Sequence, residues 1–210
     1  MKLIELTVSD YLNDLASDSP APGGGSAAAL CGAQGAGLAA MVASFTIGRK
    51  KFAEFEENAI AVRDAELFLV DRLKAQIDKD TEAFNLVAWA FKMPKTTDEE
   101  KQARSAAIQA GTLVSTQVPF ETMVLALEAL KTAEKLLDRF NDGAASDLGV
   151  AAWNLLTCVK GAWLNVCINI GSLKDKEAAE SFRVRGLALL KEAEEIAAKI
   201  AAKADEIIGC

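Results

Sequence analysis

One carboxylate of this chain stands on a helical face that is otherwise apolar. Around Asp80, apolar residues recur at steps of three and four, as they do along one side of a helix. That face carries Leu73, Ile77, Asp80, Phe84, Val87 and Phe91. A carboxylate in such a place costs several kcal/mol unless it is paired, hydrogen-bonded or protonated, and such a cost often marks a functional site. Asp80 is therefore either an acid–base group or a buried carboxylate satisfied by a lysine or a helix end, whereas Asp78 is predicted to be solvated.

Two amides lie four residues apart on a second apolar helical face. Asn165 and Asn169 share that face with Ala151, Leu155, Cys158, Ala162 and Leu173. Amides there need hydrogen-bond partners, which could be a ligand ring rich in donors and acceptors or the backbone of other helices. Periodicity alone does not distinguish a ligand from a neighbouring helix as the partner of these amides. Asp147, near the start of the same helix, is explained better as a charge at the helix N-terminus than as a catalytic group.

A proline- and glycine-rich run precedes a helix made of small residues. The run S-P-A-P-G-G-G-S extends from Ser19 to Ser26. Free backbone amides at a helix start can bind an anion or a polar ligand edge, although a plain tight turn is the commoner outcome. Farther on, Lys50 and Lys51 could complement a helix C-terminus or hold a glutamate tail.

Helical spacing extends through nearly the whole chain, and no sustained apolar/polar alternation predicts a strand. Helices are predicted over residues 3–15, from 26, over 54–91, from 98 with a bend or break at Pro119, over 146–172, and from 174 onward. Pro94 is predicted to end the third long segment and Ser146 to cap the next one. The small-residue helix is expected to be the most buried. The prediction is an all-α fold, a single-domain bundle over residues 1–210 of about five to seven helices, with long antiparallel members.

Charge and composition exclude several classes of protein. A net charge of −7 argues against nucleic-acid binding, which needs a concentrated basic face. The chain has no histidine, so Ser–His–Asp and Cys–His pairs are absent and acid–base work falls to Asp, Glu, Lys or Cys. The four cysteines lack metal-ligand spacing, and no metal is expected.

The chain is expected to be cytoplasmic and not to enter a membrane. Its first ten residues lack the basic-then-apolar layout of a secretory signal. Residues 23–48 carry no charge and are long enough to cross a bilayer, but their alanine, glycine and serine content predicts a core helix instead.

Six blocks of sequence together resemble one family. They are S-P-A-P-G-G-G-S-A-A-A, T-I-G-R-K-K-F, I-D-K-D-T-E-A-F, F-K-M-P-K-T-T-D-E-E-K, S-D-L-G-V-A-A and L-N-V-C-I-N-I. Their order resembles the formiminotransferase-cyclodeaminase family, and in particular its stand-alone cyclodeaminase domain. The resemblance covers the chain from about Leu3 to Leu190. It departs at Cys167, between the two asparagines, and at Trp153 and Asn154 after the S-D block.

The resemblance implies specific roles for these positions. Asp80, the second aspartate of its block, matches the catalytic acid/base of the family. Substrate-binding positions are implied at Pro22, Gly23, Gly24, Gly25, Ser26, Lys50, Lys51, Asp147, Asn165 and Asn169. The family is all-helical and dimeric, with its folate site near the subunit interface. The implied partners are a reduced folate, polyglutamylated or not, and a second copy of the chain.

The implied activity is cyclodeamination of 5-formiminotetrahydrofolate to 5,10-methenyltetrahydrofolate and ammonia, with no cofactor. The alternative within the family is methenyltetrahydrofolate cyclohydrolase action, which gives 10-formyltetrahydrofolate. A non-catalytic helical interaction module is the alternative of another class. A carboxylate retained on an apolar face favours an enzyme.

Overall fold

Six α-helices make up most of the computed structural model, which describes residues 2–137 and 139–209. They are α1 (Val8–Leu15), α2 (Gly24–Thr46), α3 (Glu56–Lys92), α4 (Asp98–Glu134), α5 (Ala145–Ile170) and α6 (Lys176–Ile208). Three short 3-10 turns accompany them, at Leu3–Glu5, Lys50–Phe55 and Asp142–Ala144. The described residues form no strand, so the predicted all-α class is confirmed.

Helix α2 lies between α3 and α5 and runs antiparallel to both. Its glycines allow this close packing: a Cβ on Gly32 would lie 2.7 Å from Cys158 Sγ, and one on Gly35 would lie 2.9 Å from the carbonyl oxygen of Ala151. The helix is buried along most of its length, as predicted. This packing brings the start of α2 to the middle of α3 and to the C-terminal half of α5.

Helix boundaries follow local chemistry in most places. Helix α3 ends at Lys92, ahead of Pro94, as predicted. Thr97 caps α4 in a reciprocal arrangement with Glu100. The final helix buries Ala193, Ile196, Ile200 and Ala204.

Two predicted boundaries were wrong, and a third was wrong in one of its alternatives. The segment 3–15 is a 3-10 turn followed by α1, because Thr7 accepts a hydrogen bond from the Asp10 backbone and starts a new helix there. Ser146 does not cap α5: the 3-10 turn Asp142–Ala144, capped by Asn141, leads directly into that helix. Of the bend or break predicted at Pro119, the break does not occur, because helix α4 continues through that buried residue.

Two helices are long and apolar enough to cross a membrane by length and composition alone. In α2 and α4, 56% and 61% of the most apolar window is buried inside the protein. Core helices of globular proteins meet the same criterion.

Candidate active site

The Asp80 side chain reaches from α3 to the first turn of α2. Its Oδ2 accepts a hydrogen bond of 2.9 Å from the Ser26 backbone N–H. Ser26 Oγ lies 3.2 Å from the same oxygen and 2.8 Å from the carbonyl oxygen of Ile77. Within the described residues, Oδ1 accepts no hydrogen bond. One carboxylate oxygen is thus anchored and the other is free for a ligand.

The start of α2 explains why the carboxylate is held there. Its N-cap is Gly23, which has no side chain to accept from the first free amides of the helix. Asp80 supplies that acceptor from another helix, and the positive end of the α2 dipole favours its negative charge. The structure therefore satisfies Asp80 by a helix end, one of the alternatives that the sequence left open.

One glycine of the turn, Gly25, is required by this contact. A Cβ on Gly25 would overlap the Asp80 carboxylate, coming 2.7 Å from Oδ2 and closer still to the other carboxyl atoms. A Cβ on Gly24 would meet only the Asn165 amide, at 3.6 Å from Nδ2. Asp80 and Asn165 consequently flank two consecutive glycines of the same turn. Pro22, which is buried, and Gly23 lead into it.

Burial and hydrogen bonding act in opposite directions on the Asp80 carboxyl. Burial raises its pKa above the ordinary value for aspartate, and the two hydrogen bonds from Ser26 offset part of that rise. A carboxyl with a raised pKa exchanges protons nearer to neutral pH. Such a group can accept a proton from a bound molecule and return it within one turnover.

The two asparagines have different partners. Asn165 Nδ2 donates to the Gly161 carbonyl of its own helix at 2.9 Å, and its Oδ1 accepts no hydrogen bond from the described residues. Asn169 Nδ2 donates to the Ser115 carbonyl of α4 at 2.6 Å. Ser115 Oγ in turn donates to the Ala83 carbonyl of α3 at 3.1 Å. Asn169 thus ties helices together, whereas Asn165 presents an acceptor beside Gly24.

Pro119 explains the contact of Asn169. A proline has no N–H, so the carbonyl four residues earlier, that of Ser115, loses its partner within the helix. Asn169 donates to that carbonyl oxygen. The bond from α5 compensates for the missing one in α4, and α4 continues through the proline.

Three of the predicted positions lie away from Asp80 in one chain. Lys50 and Lys51 follow the C-terminus of α2, roughly 35 Å from its start for a helix of 23 residues. Both are exposed, and Lys51 Nζ pairs with Asp142 at 3.1 Å. Asp147 lies in the first turn of α5, which runs antiparallel to α2 and so starts near that same far end.

Other expectations about the surroundings of Asp80 were wrong. Asp78 is not merely solvated: its Oδ1 accepts from the Leu3 backbone N–H and holds the N-terminal turn against α3. Phe84 and Phe91 are 39% and 57% exposed, although their spacing predicted packing. Periodicity identifies a common helix face, but it does not determine how far along that face the neighbouring helices extend.

Tyr11 was not predicted to lie near the site. It packs with Ala29 and Ile77, and its buried hydroxyl has no hydrogen-bond partner among the described residues. Burial raises its pKa, and the charges of Cys31 and Asp80 raise it further. No periodic pattern singled it out, because its helix is only two turns long.

Residues 2–137 and 139–209 bring together no group of three or more Cys, Asp or Glu side chains that could hold a metal ion. The fold and the site together define an all-helical protein that holds a carboxylate of raised pKa at the N-terminus of a glycine-rich helix.

Comparison with known families identifies the group to which this architecture belongs. The formiminotransferase-cyclodeaminase family profile matches residues 7–186. The chain belongs to this family.

The chain is similar to curated relatives of two different names. Methenyltetrahydrofolate cyclohydrolase of Methylorubrum extorquens is 40% identical over 83% of this chain and 84% of its own length. Formimidoyltransferase-cyclodeaminase of Rattus norvegicus is 33% identical over 94% of this chain, which spans only 37% of that longer protein. Among solved structures, formiminotetrahydrofolate cyclodeaminase of Thermotoga maritima superposes with a TM-score of 0.81 at 25% identity, covering 99% of this chain and 98% of the other.

Proposed function

We propose that this protein is a formiminotetrahydrofolate cyclodeaminase, an ammonia-lyase that converts 5-formiminotetrahydrofolate to 5,10-methenyltetrahydrofolate and ammonia. The observation that carries the proposal is the Asp80 carboxylate, anchored by Ser26 through Oδ2 with Oδ1 free. The name and the whole-length superposition of the Thermotoga maritima structure support the same reaction.

The proposed chemistry takes place within one molecule. The N10 amine attacks the carbon of the protonated formimino group on N5, forming the new C–N10 bond. Asp80 accepts the N10 proton and delivers it to the former imino nitrogen, which leaves as ammonia when its C–N bond breaks. The positive charge of the substrate passes to the methenyl product. No electrons are transferred and nucleophile and electrophile are already joined, so the protein has to hold the reactive conformer and move one proton, and we propose that no cofactor takes part.

Methenyltetrahydrofolate cyclohydrolase action is the second candidate. The Methylorubrum extorquens relative of that name, at 40% identity, favours it. In this reaction water adds to the methenyl carbon and the ring opens to 10-formyltetrahydrofolate. Asp80 Oδ1 would accept a proton from that water. The two reactions share the methenyl compound and one proton carrier, but they differ in the nucleophile and in the leaving group: N10 displaces ammonia in the first, and water opens the ring at N5 in the second.

The methenyl absorbance distinguishes the two reactions. Purified protein given 5-formiminotetrahydrofolate is expected to raise that absorbance and release ammonia in equal amounts. Protein given 5,10-methenyltetrahydrofolate would instead accelerate its decay if it were a cyclohydrolase. If the methenyl absorbance neither rises in the first assay nor decays faster in the second, both enzyme assignments are rejected. Binding of a reduced folate would then be the remaining test, and its failure would favour a helical interaction module.

The Asp80→Asn variant tests the proton carrier without removing the helix contact. The amide oxygen can still accept from the Ser26 N–H, so the fold is expected to persist. The rate should fall by on the order of a hundredfold to ten-thousandfold. Asp80→Ala removes the acceptor as well and should also lower the melting temperature. Full turnover by Asp80→Asn would reject Asp80 as the proton carrier.

A homodimer belongs to this proposal. Helix α5, which also carries Asn165, has three exposed apolar side chains: Trp153, Leu164 and Ile168 are 53%, 70% and 74% exposed. A second copy of the chain covering them would remove that surface from water. A dimer is also the arrangement in which Lys50, Lys51 and Asp147 of one copy could approach Asp80 of another. Light scattering of the purified protein tests it, and a monomeric mass would refute it.

A cytoplasmic location and a polyglutamylated substrate complete the proposal. Cys31, Cys158 and Cys167 are free thiols, as expected in a reducing compartment. Fractionation of cells tests the cytoplasmic location. Comparing turnover of substrates with one and with five glutamates tests the preference for a polyglutamylated substrate.

A further inference from the structure

A pocket of positive charge lies at the end of the bundle where α3 ends and α4 begins. It has a volume of about 400 Å³. Its polar lining comes from Lys95, Lys101, Arg104, Ser105, Gln109 and Lys174. The protein as a whole carries a net charge of −7, so four cations around one cavity stand out against an acidic surface.

Most of this positive charge lacks a carboxylate partner. Lys101 pairs with Asp98 at 2.8 Å. Within the described part of the chain, Lys95, Arg104 and Lys174 form no ion pair. The acidic residues nearest to these cations along the chain are Asp98, Glu99, Glu100 and Asp175. Glu100 accepts hydrogen bonds from the Thr96 and Thr97 backbone N–H groups, and Asp175 caps α6. The cavity therefore retains a positive potential suited to a ligand with several negative charges.

The side chains that line the pocket are held by specific contacts. Lys174 donates from its backbone N–H to Gln109 Oε1 at 2.7 Å and from Nζ to Ser105 Oγ at 2.6 Å. Gln109 Nε2 also donates to the Ser172 carbonyl at 3.1 Å, which joins α4 to the turn after α5. Arg104 Nη2 donates to the Phe91 carbonyl at 3.2 Å.

A partly exposed apolar face connects Asp80 to this pocket. Phe84 is one turn beyond Asp80, and Phe91 lies eleven residues beyond it on the same face. That separation along α3 is roughly 16 Å. The Arg104 guanidinium lies 5.3 Å from the centre of the Phe91 ring. A carboxylate and two aromatic side chains thus follow one another along α3, and the basic pocket lies beyond the second aromatic ring.

We propose that this pocket binds the glutamyl carboxylates of a reduced folate whose reacting nitrogens lie at Asp80. This inference rests on the proposed function. A folate has its reacting nitrogens, its aromatic p-aminobenzoyl group and its anionic tail in the same order as the features along α3. Each added γ-linked glutamate supplies one more carboxylate and extends the reach of the tail. Within one chain the pocket lies beyond the end of α3 that carries Phe91, whereas Lys50 and Lys51 lie at the far end of α2 from Asp80.

The test compares 5,10-methenyltetrahydrofolate carrying one and five glutamates in equilibrium binding, and the matching formimino substrates in turnover. The wild type is expected to bind the pentaglutamate more tightly than the monoglutamate. The double variant Arg104→Gln with Lys174→Gln should weaken pentaglutamate binding by on the order of tenfold or more, with a much smaller effect on the monoglutamate. Its KM for the pentaglutamate substrate should rise in parallel.

Two further variants keep the result interpretable. Lys95→Gln with Lys101→Gln changes the pocket charge without touching the Phe91 backbone, and should act in the same direction. Lys131→Gln with Lys203→Gln removes the same charge elsewhere on the surface and should not change the preference for the pentaglutamate. Melting temperatures identify any variant that fails to fold.

Three results would overturn the inference. They are equal binding of both ligands by the wild type, unchanged preference in both pocket variants, and loss of preference in Lys50→Gln with Lys51→Gln instead. Absence of turnover together with a pentaglutamate preference that depends on the pocket would refute the proposed reaction and leave the pocket assignment standing.

Discussion

Gly25 and the Asp80 carboxylate lie so close together that no side chain fits between them. The contact joins the first turn of α2 to the middle of α3. It places a carboxylate of raised pKa at the positive end of a helix, and it makes one glycine of the G-G-G run indispensable for the geometry. The neighbouring Gly24 has no comparable constraint.

Gly25→Ala is expected to displace Asp80 and inactivate the protein. The added methyl group would overlap the carboxyl, so either the side chain rotates away or α2 moves. A misplacement of about 1 Å can cost on the order of a hundredfold in rate. Gly24→Ala is the matched control, since its Cβ would lie at an ordinary contact distance of 3.6 Å from Asn165 Nδ2. Steady-state turnover of the two variants tests this, and equal losses would contradict it.

Ser26→Ala should move the acid limb of the pH–activity profile to higher pH. The hydrogen bonds from Ser26 lower the Asp80 pKa against the rise caused by burial. Removing the hydroxyl leaves only the backbone bond, so the pKa rises further and less of the base form is present at a given acidic pH. The profile of kcat/KM measures this. Thr81→Val is the control, because Thr81 Oγ1 contacts Ser26 Oγ at 3.4 Å and not the carboxylate. A limb that stays in place, or moves to lower pH, would contradict the assignment.

Asn169 and Pro119 are expected to be energetically coupled. Asn169→Ala leaves the Ser115 carbonyl without its donor, at a cost of about 1–3 kcal/mol in the free energy of unfolding. In the Pro119→Ala background, the new N–H at residue 119 can donate to that carbonyl, so the same change should cost less. Urea unfolding of the wild type, both single variants and the double variant measures the coupling. Strict additivity would mean that the α5 bond does not compensate for the proline.

Glu66 is expected to make the protein less stable as pH rises. It is fully buried, and neither carboxyl oxygen has a partner among the described residues. Burial raises its pKa well above the ordinary value; the Glu128 charge adds to this rise and the Lys135 charge opposes it. Because the folded-state pKa is the higher one, its contribution is fully present below about pH 4.3, where the unfolded side chain is also protonated, and is lost as pH rises toward the folded-state pKa.

The Glu66→Gln variant tests this pH dependence by chemical unfolding across the acidic to neutral range. It should flatten the slope of unfolding free energy against pH, which for one group reaches at most about 1.4 kcal/mol per pH unit. Glu128→Gln should keep this slope but end it at a lower pH, because removing the Glu128 charge lowers the Glu66 pKa. Identical slopes in the wild type and Glu66→Gln would show that Glu66 does not remain protonated in the folded state.

Much of the fold was predictable from local pattern. Helical periodicity, capping residues and prolines predicted the boundaries of α3, α5 and α6 to within a few residues. These features act within one or two turns of the chain. Of the bend or break expected at Pro119, the break does not occur for a nonlocal reason, since the donor that replaces the missing hydrogen bond comes from another helix. The cap expected at Ser146 failed because a preceding 3-10 turn already starts the helix.

Some features of the candidate site were likewise predictable from local sequence, and others depend on how the helices pack. Sequence alone determined that the chain is helical and that Asp80 is a carboxylate on an apolar face, because helical period is a property of neighbouring residues. Only the tertiary structure decided that Asp80 caps α2 beside Gly25, that Lys50 lies at the far end of that helix, and that Lys95 and Lys174 share one pocket. Those relationships depend on which helices pack together and in which direction, and no periodicity within one helix contains that information.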